Sequence, residues 1–254
     1  MIPSADILQP LVDIANGVLK FFHDDAGLSW GMSIIALTVV TRALLIPLTY
    51  KQLKGMRAMQ ALQPQIKELQ AKYKNDKQRM QQEMMRFYKE NKVNPFASCI
   101  PLIAQLPVFI TLFHVLRNEL PEDIGCKAGE CGAEASFFFI NDLTAKATGA
   151  ELIALIVLYV GTQLASGYFM SITADKSQRT MMFILPLIFV PFIISFPAGL
   201  ILYWITTNFW TIGQQFVIQK IIPAPVAATP QGAAAIQAAK APPKPPKKKK
   251  KRRR

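Results

Sequence analysis

Long apolar runs dominate the chain at Leu28–Tyr50, Phe96–Leu116, Leu152–Ala174, Met181–Phe196 and Leu200–Ile222. A helix that crosses a bilayer needs about 20 predominantly apolar residues, and four of these runs reach that length. Met181–Phe196 has only 16 residues and carries Pro186 and Pro191. It predicts a short span, or a tight helical hairpin turning at Phe196–Gly199. Ahead of the runs, Leu8, Leu11, Val12, Ala15, Val18, Leu19 and Phe22 recur at helical spacing, with Asp13, Asn16 and Lys20 opposite. That pattern predicts an amphipathic helix within residues 1–27 lying in the membrane interface, or packed on the protein outside the membrane.

Between the first two runs, residues 51–93 are rich in Gln, Lys, Met, Glu and Leu, all good helix formers. Asn75–Asp76 is the strong interior break and Pro64 a kink, so this stretch predicts a helical hairpin with arms over 51–74 and 76–91. Its methionine-rich stripes fit either packing between the two arms or contact with varied partners. From Pro223 the composition turns to Ala, Pro and Gln and ends in KKKKKRRR. Residues 223–254 cannot bury a core and are expected to be disordered. The fold class expected is all-α: a polytopic membrane protein with five transmembrane helices over 28–222 plus a cytoplasmic helical hairpin.

Loop charge orients these elements. Residues 51–95 hold eleven Lys/Arg (51, 54, 57, 67, 72, 74, 77, 79, 86, 89, 92) against four acids. Residues 118–150 hold two lysines (127, 146) against six acids (119, 122, 123, 130, 134, 142). The positive-inside rule puts the hairpin in the cytoplasm and the 118–150 loop outside. Five spans with an N-out, C-in topology also put Lys176, Arg179 and the basic tail inside. A polybasic tail binds anionic lipid or RNA phosphate, so anionic lipids and the ribosome surface, met through residues 240–254, are its expected partners.

The chain is 51% hydrophobic with a net charge of +13, and it shows no basic-then-apolar secretory signal at its start. Cys126 and Cys131 share the outside loop. They form a disulfide or remain two free thiols, and spacing alone does not separate these. His23 and His114 lie away from them, so a zinc site lacks ligands. Cys99 reads as a small apolar residue within its run.

Arg42 is the costly residue. It lies eight residues, about 12 Å of helix rise, inside the end of its run at Tyr50. An arginine in a span costs roughly 2.5–3.5 kcal/mol on insertion scales. No acid lies inside any of the runs to pair with it. It either snorkels to the headgroups or faces a wet cavity. Polar residues at matching depth favour the cavity: Gln105 in the second run, Thr162 and Gln163 in the third, and Thr206, Thr207, Asn208, Thr211, Gln214 and Gln215 in the fifth. Most of these Thr and Asn residues are expected to bond helix to helix.

An enzyme is not expected. The chain has no H-E-x-x-H, no G-x-S-x-G, no pair of intramembrane carboxylates and no P-loop. No metal or other cofactor is implied. A small-solute transporter or channel with a polar pathway is the competing reading, although inverted repeats and intramembrane acids for coupling ions are missing. A third reading is an assembly factor that binds ribosomes through its tail.

The runs NPFASCIPLIAQLPVFITLFHVLR (94–117) and FPAGLILYWITTNFWTIGQQFVI (196–218) resemble the YidC/Oxa/Alb family of membrane protein insertases. The arginine of the first run, the basic helical pair after it and FFFINDLT (137–144) resemble it too. The resemblance covers about residues 28–222 and is to the compact five-span bacterial form, without a further N-terminal span or large periplasmic domain. It implies a bacterial plasma membrane protein that moves small membrane proteins from the cytoplasm into the bilayer. The path is a hydrophilic groove open to cytoplasm and lipid, used alone or with the Sec translocon and without ATP hydrolysis. Under this resemblance Arg42 supplies the groove's positive charge, Trp204 and Thr207 match its fifth-span positions, and Gln163 a third-span position. Gln105 joins the groove set by its depth. The hairpin is implied to receive nascent membrane protein substrates.

Overall fold

The computed structural model describes residues 4–91, 93, 100–171 and 176–221. The basic tail 223–254 and Cys99 lie outside the described residues. Ten α-helices follow one another among those described: α1 Ser4–Lys20, α2 Trp30–Leu44, α3 Ile46–Ala61, α4 Gln63–Lys72, α5 Lys77–Glu90, α6 Ile100–His114, α7 Leu120–Ile124, α8 Gly149–Ser171, α9 Lys176–Ile193 and α10 Ala198–Ile221. Single π-helical turns extend α1 over Phe21–Asp25 and join α6 to α7 over Val115–Glu119.

Helix α10 is central. It packs on both α2 and α8, while α9 packs on α8. Helix α1 crosses the ends of α2 and α6. Val12 and Leu19 of its apolar face are buried, while Leu11, Ile14 and Phe21 stay exposed. Asn16 is buried too: the sequence pattern put it opposite, but it shares their face at i, i+4, i+7 spacing. By length and composition, α8 over Gly149–Phe169 is long and apolar enough to cross a membrane, and α2 with Ile46–Gln52 of α3 passes as a bent pair. Helix α10 has the length, but Thr206, Thr207, Asn208, Thr211, Gln214 and Gln215 dilute its apolar character.

Proline accounts for two local breaks, of which the sequence reading anticipated the one at Pro64 and not the one at Pro47. The first apolar run bends by 55° between α2 and α3. Pro47 has no N–H to offer the carbonyl of Ala43 and its ring crowds that turn, so α2 ends at Leu44. The first hairpin arm is likewise two helices, broken at Leu62 because Pro64 is tolerated only in the first turn of α4. By contrast, Pro186 and Pro191 both lie within the continuous α9. A short turn at Ser195–Pro197 then leads into α10, but α9 packs mainly on α8, so the pair is not a packed hairpin.

The core is concentrated at one end. Its buried members include Leu19 of α1, Trp30, Ile34 and Leu37 of α2, Leu112, Val115, Leu116 and Leu120 around the α6 π turn, Ile140 and Leu143 of the loop, and Leu200–Tyr203 of α10. This is the end capped by residues 125–148. The loop is ordered there by Asp142, whose carboxylate accepts from the backbone N–H groups of Cys131 (2.8 Å), Gly132 (3.1 Å) and Thr144 (2.8 Å) and from the Thr144 hydroxyl (2.6 Å). Cys126 and Cys131 are joined in a disulfide. Two glycines let the cap seat closely. A Cβ on Gly31 would run into the ring of Phe137, and one on Gly199 would stand 2.9 Å from the Leu143 carbonyl oxygen. That carbonyl accepts the Gly199 N–H, and Ala145 accepts from Ala198, so the cap also satisfies the free N-terminus of α10.

Candidate functional site

Away from the cap the buried side chains turn polar, with Thr162, Ser166, Thr207, Asn208 and Gln215 among them. Arg42 stands on the last turn of α2, just before the bend, and is half-buried. Its place at a helix C-terminus is favourable, because the last carbonyls present partial negative charge to the cation. Its Nη2 donates to Oε1 of Gln105 on α6 at 2.9 Å. Tyr203 of α10, one turn before Thr207, lies near enough to interact electrostatically with the guanidinium. Three helices thus converge on one arginine. Among the described residues no carboxylate pairs with it.

The remaining sequence-predicted residues sit differently. Thr207 is buried on the α10 face that holds Tyr203. Trp204, one residue on from Tyr203, turns into an aromatic cluster instead. It stacks on Phe109 (5.3 Å between centroids, 23°) and meets Phe196 and Tyr159 at 5.9 and 6.2 Å. Gln163 is half-buried on α8 beside Thr162. Thr162 itself is used between helices, since its hydroxyl accepts from Nδ2 of Asn208 at 3.2 Å and donates to the Leu158 carbonyl at 2.7 Å.

Sequence reasoning missed Tyr203. A tyrosine in an apolar run reads as packing, and its only signal was position: it lies one helical turn from Thr207. Farther along the same face of α10, Trp210 donates its indole N–H to Oε1 of Gln214 at 3.0 Å. The amide nitrogens of Gln105 and Gln214 are both buried and lack a hydrogen-bond partner among the described residues. Chemically, the arrangement offers a held cation and amide donors in the half of the bundle whose buried side chains are polar. Among the described residues no group of three His, Cys, Asp or Glu is placed to hold a metal.

The family model of the 60Kd inner membrane protein matches residues 21–225, which includes every helix of the bundle from α2 to α10. The chain belongs to that family. The 60Kd inner membrane protein family includes curated relatives called membrane protein insertase YidC. One from Streptomyces avermitilis is 39% identical over 234 residues, covering 81% of this chain and 55% of its own length. Another, from Wigglesworthia glossinidia brevipalpis, is 36% identical and covers 84% of this chain and 37% of its own. The chain therefore spans about half or less of the length of these relatives. Among solved structures, a crystal structure of an active YidC insertase with its first transmembrane domain resolved superposes with a TM-score of 0.63 at 26% identity, covering 85% of this chain and 47% of that one. The all-helical bundle is thus the YidC fold.

Proposed function

We propose that this chain is a membrane protein insertase and chaperone of the bacterial plasma membrane, moving small membrane proteins from the cytoplasm into the bilayer. In this reading α2, α6, α8, α9 and α10 are its five spans, N-out and C-in. Residues 1–27 lie at the outer interface, the hairpin 51–93 receives substrates in the cytoplasm, and the loop 118–150 faces outward. The tail 223–254 meets ribosomes and anionic lipids, and the chain works alone or beside the Sec translocon. Arg42, Gln105, Gln163, Trp204 and Thr207 serve the groove, Trp204 by fixing the aromatic floor beneath it. The observation that carries the reading is the Arg42–Gln105 contact in the polar half of the bundle, away from the apolar core under the cap.

A groove of this kind lowers the barrier to a substrate's polar segment, because water and fixed donors replace hydrocarbon over part of the crossing. Arg42 attracts carboxylates in that segment. The apolar helix of the substrate then moves sideways into lipid, and burial of about 20 apolar residues drives the process without ATP. The test is Arg42→Ala and Arg42→Lys in proteoliposomes, with a single-span substrate whose translocated end is acidic. Lys should keep most insertion and Ala should lose it. Equal insertion by both variants would remove Arg42 from the mechanism, and flux of small solutes without insertion would favour a channel.

A further inference from the structure

Two glutamines in the bundle are locked in the same sense. Gln105 spends its amide oxygen on the Arg42 guanidinium, and Gln214 spends its own on the Trp210 indole N–H. Guanidinium and indole can only donate. Each glutamine must therefore turn its oxygen inward to its partner and leave its NH₂ over. Both nitrogens are buried with no acceptor among the described residues. A buried amide donor left unpaired costs about as much as the hydrogen bond it lacks, so two such donors of matching sense call for an acceptor ligand.

Their spacing says which acceptor. Tyr203, Trp210 and Gln214 fall on one face of α10, because eleven residues make about three whole turns. Tyr203 lies within electrostatic reach of Arg42. From Tyr203 to Gln214 α10 rises about 16 Å, and Gln214 reaches back one turn to Trp210, so the two donor stations lie about 10–16 Å apart along the helix. That is the reach of about three to five residues of extended chain at ~3.3 Å each. A carboxylate side chain satisfies one of these stations at a time, whereas a peptide backbone carries a carbonyl at every residue. We infer that the groove recognises main-chain carbonyls of an extended, non-helical substrate segment, with the Gln214 amide as one donor station and the Gln105 amide beside Arg42 as the next. The inference rests on the insertase reading and supplies what it recognises in segments that carry no acidic residue.

The experiment uses the full, unmodified chain in proteoliposomes. The substrate is a single-span protein with an uncharged translocated segment, made by cell-free translation with one backbone amide of that segment replaced by an ester. An ester carbonyl is a weaker acceptor, and losing an N–H otherwise eases passage through an apolar layer. Insertion should slow by about two- to tenfold with the ester in the translocated segment. In Gln214→Met, which keeps the shape of the side chain but has no donor, the parent substrate should slow similarly and the ester should add less than it does in the unmodified chain. Equal or faster insertion of the ester substrate by the unmodified chain overturns the inference and leaves the insertase reading standing. Failure of the unmodified chain to insert even the parent substrate overturns both.

Discussion

Asn208 donates to Thr162 at 3.2 Å, and the Thr162 hydroxyl donates in turn to the Leu158 carbonyl, so one chain of hydrogen bonds ties α10 to α8 within the bundle. Both side chains are buried. Removing one member strands the other. We expect Asn208→Leu and Thr162→Val each to destabilise the protein, and the double variant to cost less than their sum. The coupling should be about 0.6 kcal/mol and no more than about 1.7, the range of interhelical bonds within membranes. Thermal unfolding of the four proteins in one detergent measures it, and strict additivity would mean that the Asn208–Thr162 bond contributes nothing.

The cap depends on Asp142 more than on the disulfide. Asp142→Ala would leave the buried N–H groups of Cys131 and Thr144 without their acceptor, which costs about 1–3 kcal/mol for each unsatisfied group. Opening the Cys126–Cys131 bridge frees a loop of only a few residues, and the chain-entropy model gives about 2 kcal/mol for a loop that short. Limited proteolysis within 125–148 should therefore be faster in Asp142→Ala than in the double Cys→Ser variant. The opposite order would make the covalent link the main restraint.

Gly31 and Gly199 are expected to be intolerant for steric reasons alone. Alanine at 31 meets the Phe137 ring at its root, and alanine at 199 meets backbone at Leu143. Neither neighbour is the free end of a side chain. Each substitution should cost about 1–3 kcal/mol as overpacking, while Gly161→Ala, where a Cβ meets nothing within 4 Å, should be harmless. Melting temperatures of the three variants decide this.

Lys20 ties α1 to α7 through Asp123 at 2.6 Å. The hydrogen bond to Asp123 raises the lysine above its ordinary 10.5. A raised lysine stabilises the folded state fully while the pH is below the unfolded value, and that stabilisation is lost as pH rises through the folded value. Hydrogen-exchange protection of α1 should therefore be insensitive to this group from about pH 7 to 9, and should fall only above 10.5. Lys20→Met should weaken protection at neutral pH and flatten the alkaline fall. An unchanged alkaline fall in that variant would assign it to another group.

Much of the helix pattern was legible because apolar runs of this length suit little besides helices that cross a membrane. Equal depth also put Arg42 and Gln105 on a common level before any contact was known. The bend at Leu45 was less legible, since Pro47 sits in a run that composition alone joins end to end. Asp142 counted only as one more negative charge in a loop, because its four donors come from residues two to eleven positions away that meet only after folding. Trp204 shows the same limit from the other side. Sequence position groups it with Thr207, but a step of 100° around α10 turns it toward Phe109 and Phe196 rather than toward Arg42.

The sealed cap has an electrical consequence if the bundle spans a membrane as proposed. A wet groove on one side and a dry core on the other make a blind recess, not a pore. Ions that enter the recess bring the cytoplasmic potential with them, so the membrane voltage falls mainly across the packed layer around Leu116, Leu143 and Tyr203. An acidic segment resting beside Arg42 has then crossed part of the bilayer while feeling little of the field. Nearly the whole electrical work, about 2.3 kcal/mol per charge for each 100 mV, is left for the final short step past the cap.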